Sequence, residues 1–306
     1  MEDTIVIIFN FIAALLLAPL IPGIINRVKA KAGGRRGKPY LQLYYDLAKL
    51  LKKNLVYPSV STWIFYAGPI INLAASIVAL CMLPFAGSAA LFSFSGDFLL
   101  IAYLFALGRF VTMLGALDTG SAFEGMGASR EATFSAIAEP VFLLSFLPLG
   151  FLAESFSLSS MVSPLHGVNW ANHWPVLLLL SVSFLLIALV ENCRMPADDP
   201  NTHLELTMIH EVMILDHGSQ DLAFIEYAAA LKLWFFAAII SNIVLPTLGS
   251  PALSLLAGLG GILAVGVSIG IIESVIARLR LLRVPQLLAL AGAFSVLACV
   301  ICMYNI

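Results

Sequence analysis

The sequence predicts an all-α protein, a bundle of about eight transmembrane helices with both termini away from the cytoplasm. Three observations carry that expectation. Of its 306 residues 60% are hydrophobic and only 11% charged, whereas a soluble domain carries about 25% charged residues. Apolar runs of bilayer length recur along the whole chain, each near the roughly 20 residues that cross a hydrocarbon core. Lys and Arg are confined almost entirely to alternate connections between those runs. The mean hydropathy of +0.98 leaves more apolar surface than one soluble core hides, so lipid must cover most of it.

The candidate spans are 4–25, 63–85, 98–117, 132–154, 175–195, 222–246, 252–276 and 286–304. The first has an acidic leader and no small-residue cleavage site, so it reads as a retained helix and not as a signal peptide. The third and fifth are interrupted by polar residues near their ends. No internal repeat or low-complexity tract divides the chain, which reads as one integral membrane domain over 1–306.

Orientation follows from the basic residues. Of 16 Lys and Arg, the first connection holds Arg27, Lys29, Lys31, Arg35, Arg36, Lys38, Lys49, Lys52 and Lys53. Arg130 follows the third span, Arg194 ends the fifth, and Arg278, Arg280 and Arg283 lie between the last two. The opposite connections, near 86–97, 155–174 and 247–251, contain none. Cytoplasmic loops are therefore expected at 26–62, 118–131, 196–221 and 277–285. The net charge of -2 points neither to nucleic acid nor to an acidic substrate.

The cysteines suggest no cofactor. Cys299 and Cys302 form a CxxC, but no second Cys or His pair completes a metal site, and burial of small thiols with Cys81 and Cys193 explains all four. No metal and no redox cofactor are expected in this chain.

Charges within apolar spans carry more information, because each costs at least ~2.5–3.5 kcal/mol at mid-membrane and so faces protein or water. Glu139 precedes Pro140 in the fourth span, Glu191 ends the fifth, Glu226 and Lys232 lie in the sixth, and Glu273 closes the seventh. Buried acids with tuning cations nearby are what a proton relay requires; paired structural charges are the plainer reading. Asp97 and Glu154 read as solvated residues of the opposite surface.

The connections add further candidates. After the Gly/Pro cluster at 33–39, residues 41–53 repeat apolar positions at helical spacing around Asp46, Lys49, Lys52 and Lys53, a basic amphipathic helix for anionic lipid or a partner protein. Gly120, Gly125 and Gly127 with Glu124, Arg130 and Glu131 read as a tight, cavity-lining turn. From Glu191 to His217 the chain concentrates Arg194, Asp198, His203, Glu205, His210, Glu211 and Asp216. Pro196 and Pro200 end a helix there, and Asn201 or Thr202 is placed to cap another. His210-Glu211 lacks the spaced second histidine of a zinc motif, and histidines that titrate near neutrality suit proton uptake.

These connections also carry a resemblance. Arg35-Arg36-Gly37 with Pro39, Gln42, Asp46 and Lys49 resembles the first cytoplasmic loop of the complex I subunit 1 family. Gly127-Ala128-Ser129-Arg130-Glu131 with Glu139-Pro140 looks like its second loop and next helix. Glu191, Arg194, Pro196, Asp198, Glu205 and Leu206 match its third, and Glu273 with Arg278 and Arg280 is similar to its last cytoplasmic turn. Quinone-reducing members carry Phe at the position of Ala197 and glutamates at those of Asn201 and His203. The chain thus looks like the branch that anchors group 4 nickel–iron hydrogenases and formate hydrogenlyases.

The resemblance implies a proton-translocating or coupling subunit of an energy-converting hydrogenase in the cytoplasmic (inner) membrane. It implies partners: hydrogenase large and small subunits and an iron–sulfur subunit, holding a nickel–iron centre and iron–sulfur clusters, and antiporter-like membrane subunits. On it, Glu139, Glu191, Glu205, Lys232, Glu226, Glu273, Asp198, His210 and Glu211 are candidates for the proton pathway. Arg35, Arg36, Asp46, Lys49, Arg130, Glu131 and Arg194 are candidates for docking the peripheral arm. Two alternatives stay open: a quinone-site subunit of a complex I-type oxidoreductase, and an independent secondary transporter, though no inverted repeat supports the latter.

Overall fold

Where Pro19 interrupts the first apolar run, two tyrosines from elsewhere in the chain take over its backbone hydrogen bonding. The computed structural model describes residues 2–162, 170–198, 208–245 and 250–305. Helix α1 spans Glu2–Leu17 and α2 Leu20–Ala32, meeting at a bend of 47°. Pro19 has no N–H to return to Leu15, and the Tyr227 hydroxyl donates to the Leu15 carbonyl instead, at 2.9 Å. The Tyr44 hydroxyl donates to the next carbonyl, Leu16. Both donors matter because an unpaired carbonyl in lipid costs several kcal/mol.

The remaining helices are α3 (Gln42–Leu51), α4 (Trp63–Cys81), α5 (Asp97–Asp118), α6 (Ala122–Ala153) and the short α7 (Leu158–Val162). They are followed by α8 (Trp170–Glu191), α9 (His210–Met213), α10 (Ser219–Val244), α11 (Pro251–Val275) and α12 (Val284–Asn305). Among the described residues seven helices are long and apolar enough to cross a membrane singly, and the bent pair α1–α2 makes the eighth. The all-helical, polytopic architecture is as the sequence predicts.

Helix α10 is the axis of the bundle. Its apolar stretch is far more buried than those of α11 and α12, and it packs against α4, α8 and α11. An aromatic cluster joins it to its neighbours: Phe105 of α5 meets Phe235 at 5.1 Å between centroids, and Phe142 of α6 meets Phe236 at 5.4 Å. On the other side, Ser145 of α6, Ser183 of α8 and Ser295 of α12 lie within 3.2 Å of one another, fully enclosed. Such interhelical hydroxyl bonds contribute about 0.6 kcal/mol each.

Hydrogen bonds between connections sort into two ends. At one, Thr62 N and Oγ1 donate to Asp118, Arg130 to the Met208 carbonyl, and Leu279 N to the Pro196 carbonyl. This is the end where the basic residues collect. At the other, Asn10 donates to the Phe85 carbonyl and Asn242 to that of Pro84.

Three sequence expectations change. The first span ends not at residue 25 but continues to Ala32. Residues 122–131 form no turn, being the first turns of a 32-residue α6. One of their glycines serves contact instead: a Cβ on Gly127 would clash with Val212 and lie 2.9 Å from the Ile209 carbonyl, so only glycine lets α9 lie against α6 there. Asp97, read as solvated, is fully buried. It accepts from Leu158 N at 2.6 Å and Ser157 Oγ at 3.0 Å, capping α7.

Candidate functional site

Four helices bring the intramembrane charges of the sequence into one network. Arg109 sits past the midpoint of α5; its guanidinium donates to Glu139 Oε1 of α6 at 2.9 Å and to Glu191 Oε1 at the end of α8. Lys232, midway along α10, lies 2.6 Å from the other Glu191 oxygen. Lys232 also lies 5.4 Å from the Phe105 ring centroid, a cation–π contact that helps hold an ammonium away from bulk water. The exposures of the side chains show the layout: 3% for Glu191, 12% for Arg109, 13% for Lys232, but 37% for Glu139. The network starts deep inside the chain and surfaces at the outer face of α6.

A cavity of about 580 Å³ lies over this network. Phe105, Met213, Ile225 and Ala228 give it an apolar wall; Arg109, Glu131, Glu191, His210 and Lys232 give it a polar one. A second cavity of about 310 Å³ adjoins it, reaching Asp198, Ile209 and Val284. Glu131, buried in α6, borders both. With Glu131, Glu139 and Glu191 against Arg109 and Lys232, the site holds three carboxylates and two cations. Among the described residues, no cation lies within ion-pair distance of Glu131.

The third basic-end segment closes the site. Asp198 accepts from Ile209 N at 3.1 Å and His210 N at 3.2 Å, and pairs with Arg278 at 2.7 Å. That carboxylate therefore ties the end of α8, the start of α9 and the α11–α12 connection together. Glu124 fixes the far side of the segment, accepting from Asp216 N at 3.0 Å and from the Thr119 hydroxyl. Burial and then Glu226 and Asp198 push the Glu211 carboxyl up to about 7, against the lowering influence of Arg194. Burial, and then Lys232, lower the pKa of His210. His217, stacked on Phe65 with ring centroids 4.0 Å apart, is pushed down to about 4 by burial and by His210.

The other candidates fall into separate places. Glu273 is fully enclosed beside Lys29 of α2 at 2.8 Å and Arg194, just past the end of α8, at 3.7 Å, apart from the Arg109 network. Glu226 is half-buried in α10. Glu205, with His203 and the helix expected after Asn201 or Thr202, lies outside the described residues. Of the docking candidates, Arg35, Arg36 and Lys49 are exposed and Asp46 is half-buried, held by Gln42 at 2.8 Å. Arg130, Glu131 and Arg194 do not join that surface: Arg130 holds Met208, Glu131 lines the cavities, and Arg194 faces Glu273. The reason is that 122–131 is helix and not loop, which turns Glu131 inward. Arg109 is the functional residue that sequence reasoning missed; a lone Arg inside the apolar run 98–117 was the available signal. Among the described residues no group of three His, Cys, Asp or Glu side chains is arranged to hold a metal.

Eight membrane crossings around a buried Arg–Glu–Lys network define a polytopic membrane protein with internal ionisable groups. The chain belongs to the NADH dehydrogenase family, the family of complex I subunit 1, whose model matches residues 4–304. It is 31% identical to hydrogenase-4 component C of Escherichia coli K12 over 93% of this chain and 91% of that protein. Formate hydrogenlyase subunit 4 of the same organism is 28% identical over 95% and 97%. A subunit of the NADH-quinone oxidoreductase of Caulobacter vibrioides is 26% identical over 67% of this chain and 57% of that one. The fold matches a chain of the membrane-bound sulfane sulfur reductase, an archaeal respiratory membrane complex. The TM-score is 0.84 at 20% identity, covering 99% of this chain and 100% of the other.

Proposed function

We propose that this chain is the membrane anchor and proton-coupling subunit of an energy-converting nickel–iron hydrogenase complex in the cytoplasmic membrane. The carrying observation is the network of Arg109 with Glu139 and Glu191, and Glu191 with Lys232, inside the spanning helices and beside a cavity. Charges so placed are retained at a stability cost that a purely structural role does not require. Near-full-length likeness to hydrogenase-4 component C and formate hydrogenlyase subunit 4 supports the hydrogenase branch. The likeness to the NADH-quinone oxidoreductase of Caulobacter vibrioides covers only part of the chain and ranks the quinone-site alternative lower.

On this reading the peripheral arm carries the nickel–iron centre and the iron–sulfur clusters. It docks at the basic end, where Arg35, Arg36, Lys49 and the exposed Tyr45 and Val60 form the surface. Protonation changes at the cavity shift the ion pairs of Glu191. The 37%-exposed Glu139 passes the effect to an antiporter-like neighbour across the outer face of α6. The test is purification of the intact complex in gentle detergent, with nickel and quinone assayed, and of its Glu139→Gln and Glu191→Gln variants. Nickel together with assembled but uncoupled variants is the expected result; bound quinone without nickel overturns the hydrogenase assignment.

A further inference from the structure

The two cavities beside the ion-pair network share three bordering residues: Arg109, Glu131 and Cys193. Arg109 is anchored on two carboxylates, so Glu131 and Cys193 are the parts of the partition free of an ion pair among the described residues. Cys193 is there for a backbone reason. Helix α8 ends with Cys193 N donating to the Val190 carbonyl at 3.1 Å and Arg194 N to that of Leu189 at 2.8 Å. This is a Schellman closure, whose left-handed position is normally glycine. Cys193 occupies it with φ +50°, at a cost of about 1 kcal/mol or more relative to glycine. Ala86 and Glu154 also have positive φ among the described residues, but neither lines a cavity of the network. The Cys193 thiol is neutral: burial first, then Glu131 and Asp198, hold it well above the usual thiol range.

We propose that Glu131 and the Cys193 side chain together form a gate on a proton route that runs from the Asp198–Ile209 cavity to the Glu191–Lys232 cavity. Glu131, the carboxylate without an ion-pair partner among the described residues, carries the proton across. The neutral thiol restricts water at that point, so the two cavities do not merge into an open wire. This inference rests on the proton-coupling reading above and gives it a path and a barrier.

Replacing Cys193 by glycine separates the roles, because it removes the side chain and relieves the left-handed backbone at once. The experiment uses membrane vesicles holding the intact complex, with passive proton entry followed by a trapped pH dye and coupled proton uptake followed during turnover. Cys193→Gly is expected to keep or raise thermal stability while increasing passive proton entry several-fold. Glu131→Gln is expected to lower coupled uptake several-fold with passive entry unchanged. If Cys193→Gly is stable and leaves passive entry unchanged while Glu191→Gln still abolishes coupled uptake, the gate is refuted and the proton-coupling reading survives. If none of the three variants alters proton movement, the proton-coupling reading itself fails. A Cys193→Gly protein that loses stability also counts against the inference, since strain relief is part of it.

Discussion

Lys232 holds its ammonium 2.6 Å from Glu191 inside the bundle, while Arg109 takes the other oxygen of the same carboxylate. Glu191 is thus neutralised from two helices, and the loss of one partner leaves an unbalanced buried charge. Lys232→Met is expected to destabilise the chain by about 3–5 kcal/mol, the cost of breaking a buried pair from one side. Glu191→Gln added to it should recover part of that loss, because Arg109 keeps Glu139. Thermal unfolding of the two single variants and the double variant in detergent gives the coupling energy. Purely additive losses would show that the pair does not interact.

Two groups near α9 make opposite demands on pH. Glu211 has its folded pKa raised to about 7, so its contribution is complete below its ordinary value and is lost as pH rises towards 7. His217 has its folded pKa lowered to about 4, so its contribution is complete above its ordinary value and is lost as pH falls towards 4. Each amounts to at most about 3 kcal/mol. In the native chain the two slopes oppose one another over mildly acidic pH. Glu211→Gln is expected to leave a stability that climbs between pH 4 and 6.5, and His217→Phe one that declines between pH 4.5 and 7. Melting temperatures across that range would reveal the slopes, and parallel profiles for both variants would contradict the assignment.

Gly127 is where α6 accepts α9. Alanine there meets Val212, Met213 and the Ile209 backbone, and the expected overpacking cost is about 1–3 kcal/mol. Because His210 and Met213 line the larger cavity, coupled turnover should fall more than the melting temperature alone explains. Gly125→Ala, with open space at its Cβ, is the control and should be neutral or slightly stabilising.

Arg36 tests the docking surface. It is exposed, while Arg27 donates to the Arg36 backbone carbonyl and so keeps that loop in place whatever side chain Arg36 carries. Arg36→Ala is expected to weaken co-purification of the peripheral arm, more so at raised salt, with the melting temperature of this chain unchanged. Full recovery of the arm from the variant would count against docking there.

The sequence alone determined the membrane class, the number of crossings and which connections gather the basic charge. Those properties depend on composition along single segments: a run of apolar residues must cross lipid whatever its neighbours do. It also singled out Glu139, Glu191 and Lys232, because charges in such runs stand out one at a time. Pairing is different, since it depends on how helices far apart in the chain rotate against each other. Only the tertiary structure decided that Arg109 joins Glu139 to Glu191, that Glu273 belongs to Lys29 and Arg194, and that Asp97 is a buried cap. It likewise moved Glu131 from an expected surface to a cavity wall, since Gly127, which read as part of a turn, proved to lie on the contact face of a helix. A glycine carries no local mark of which of these it serves; the residue that packs against it makes the difference.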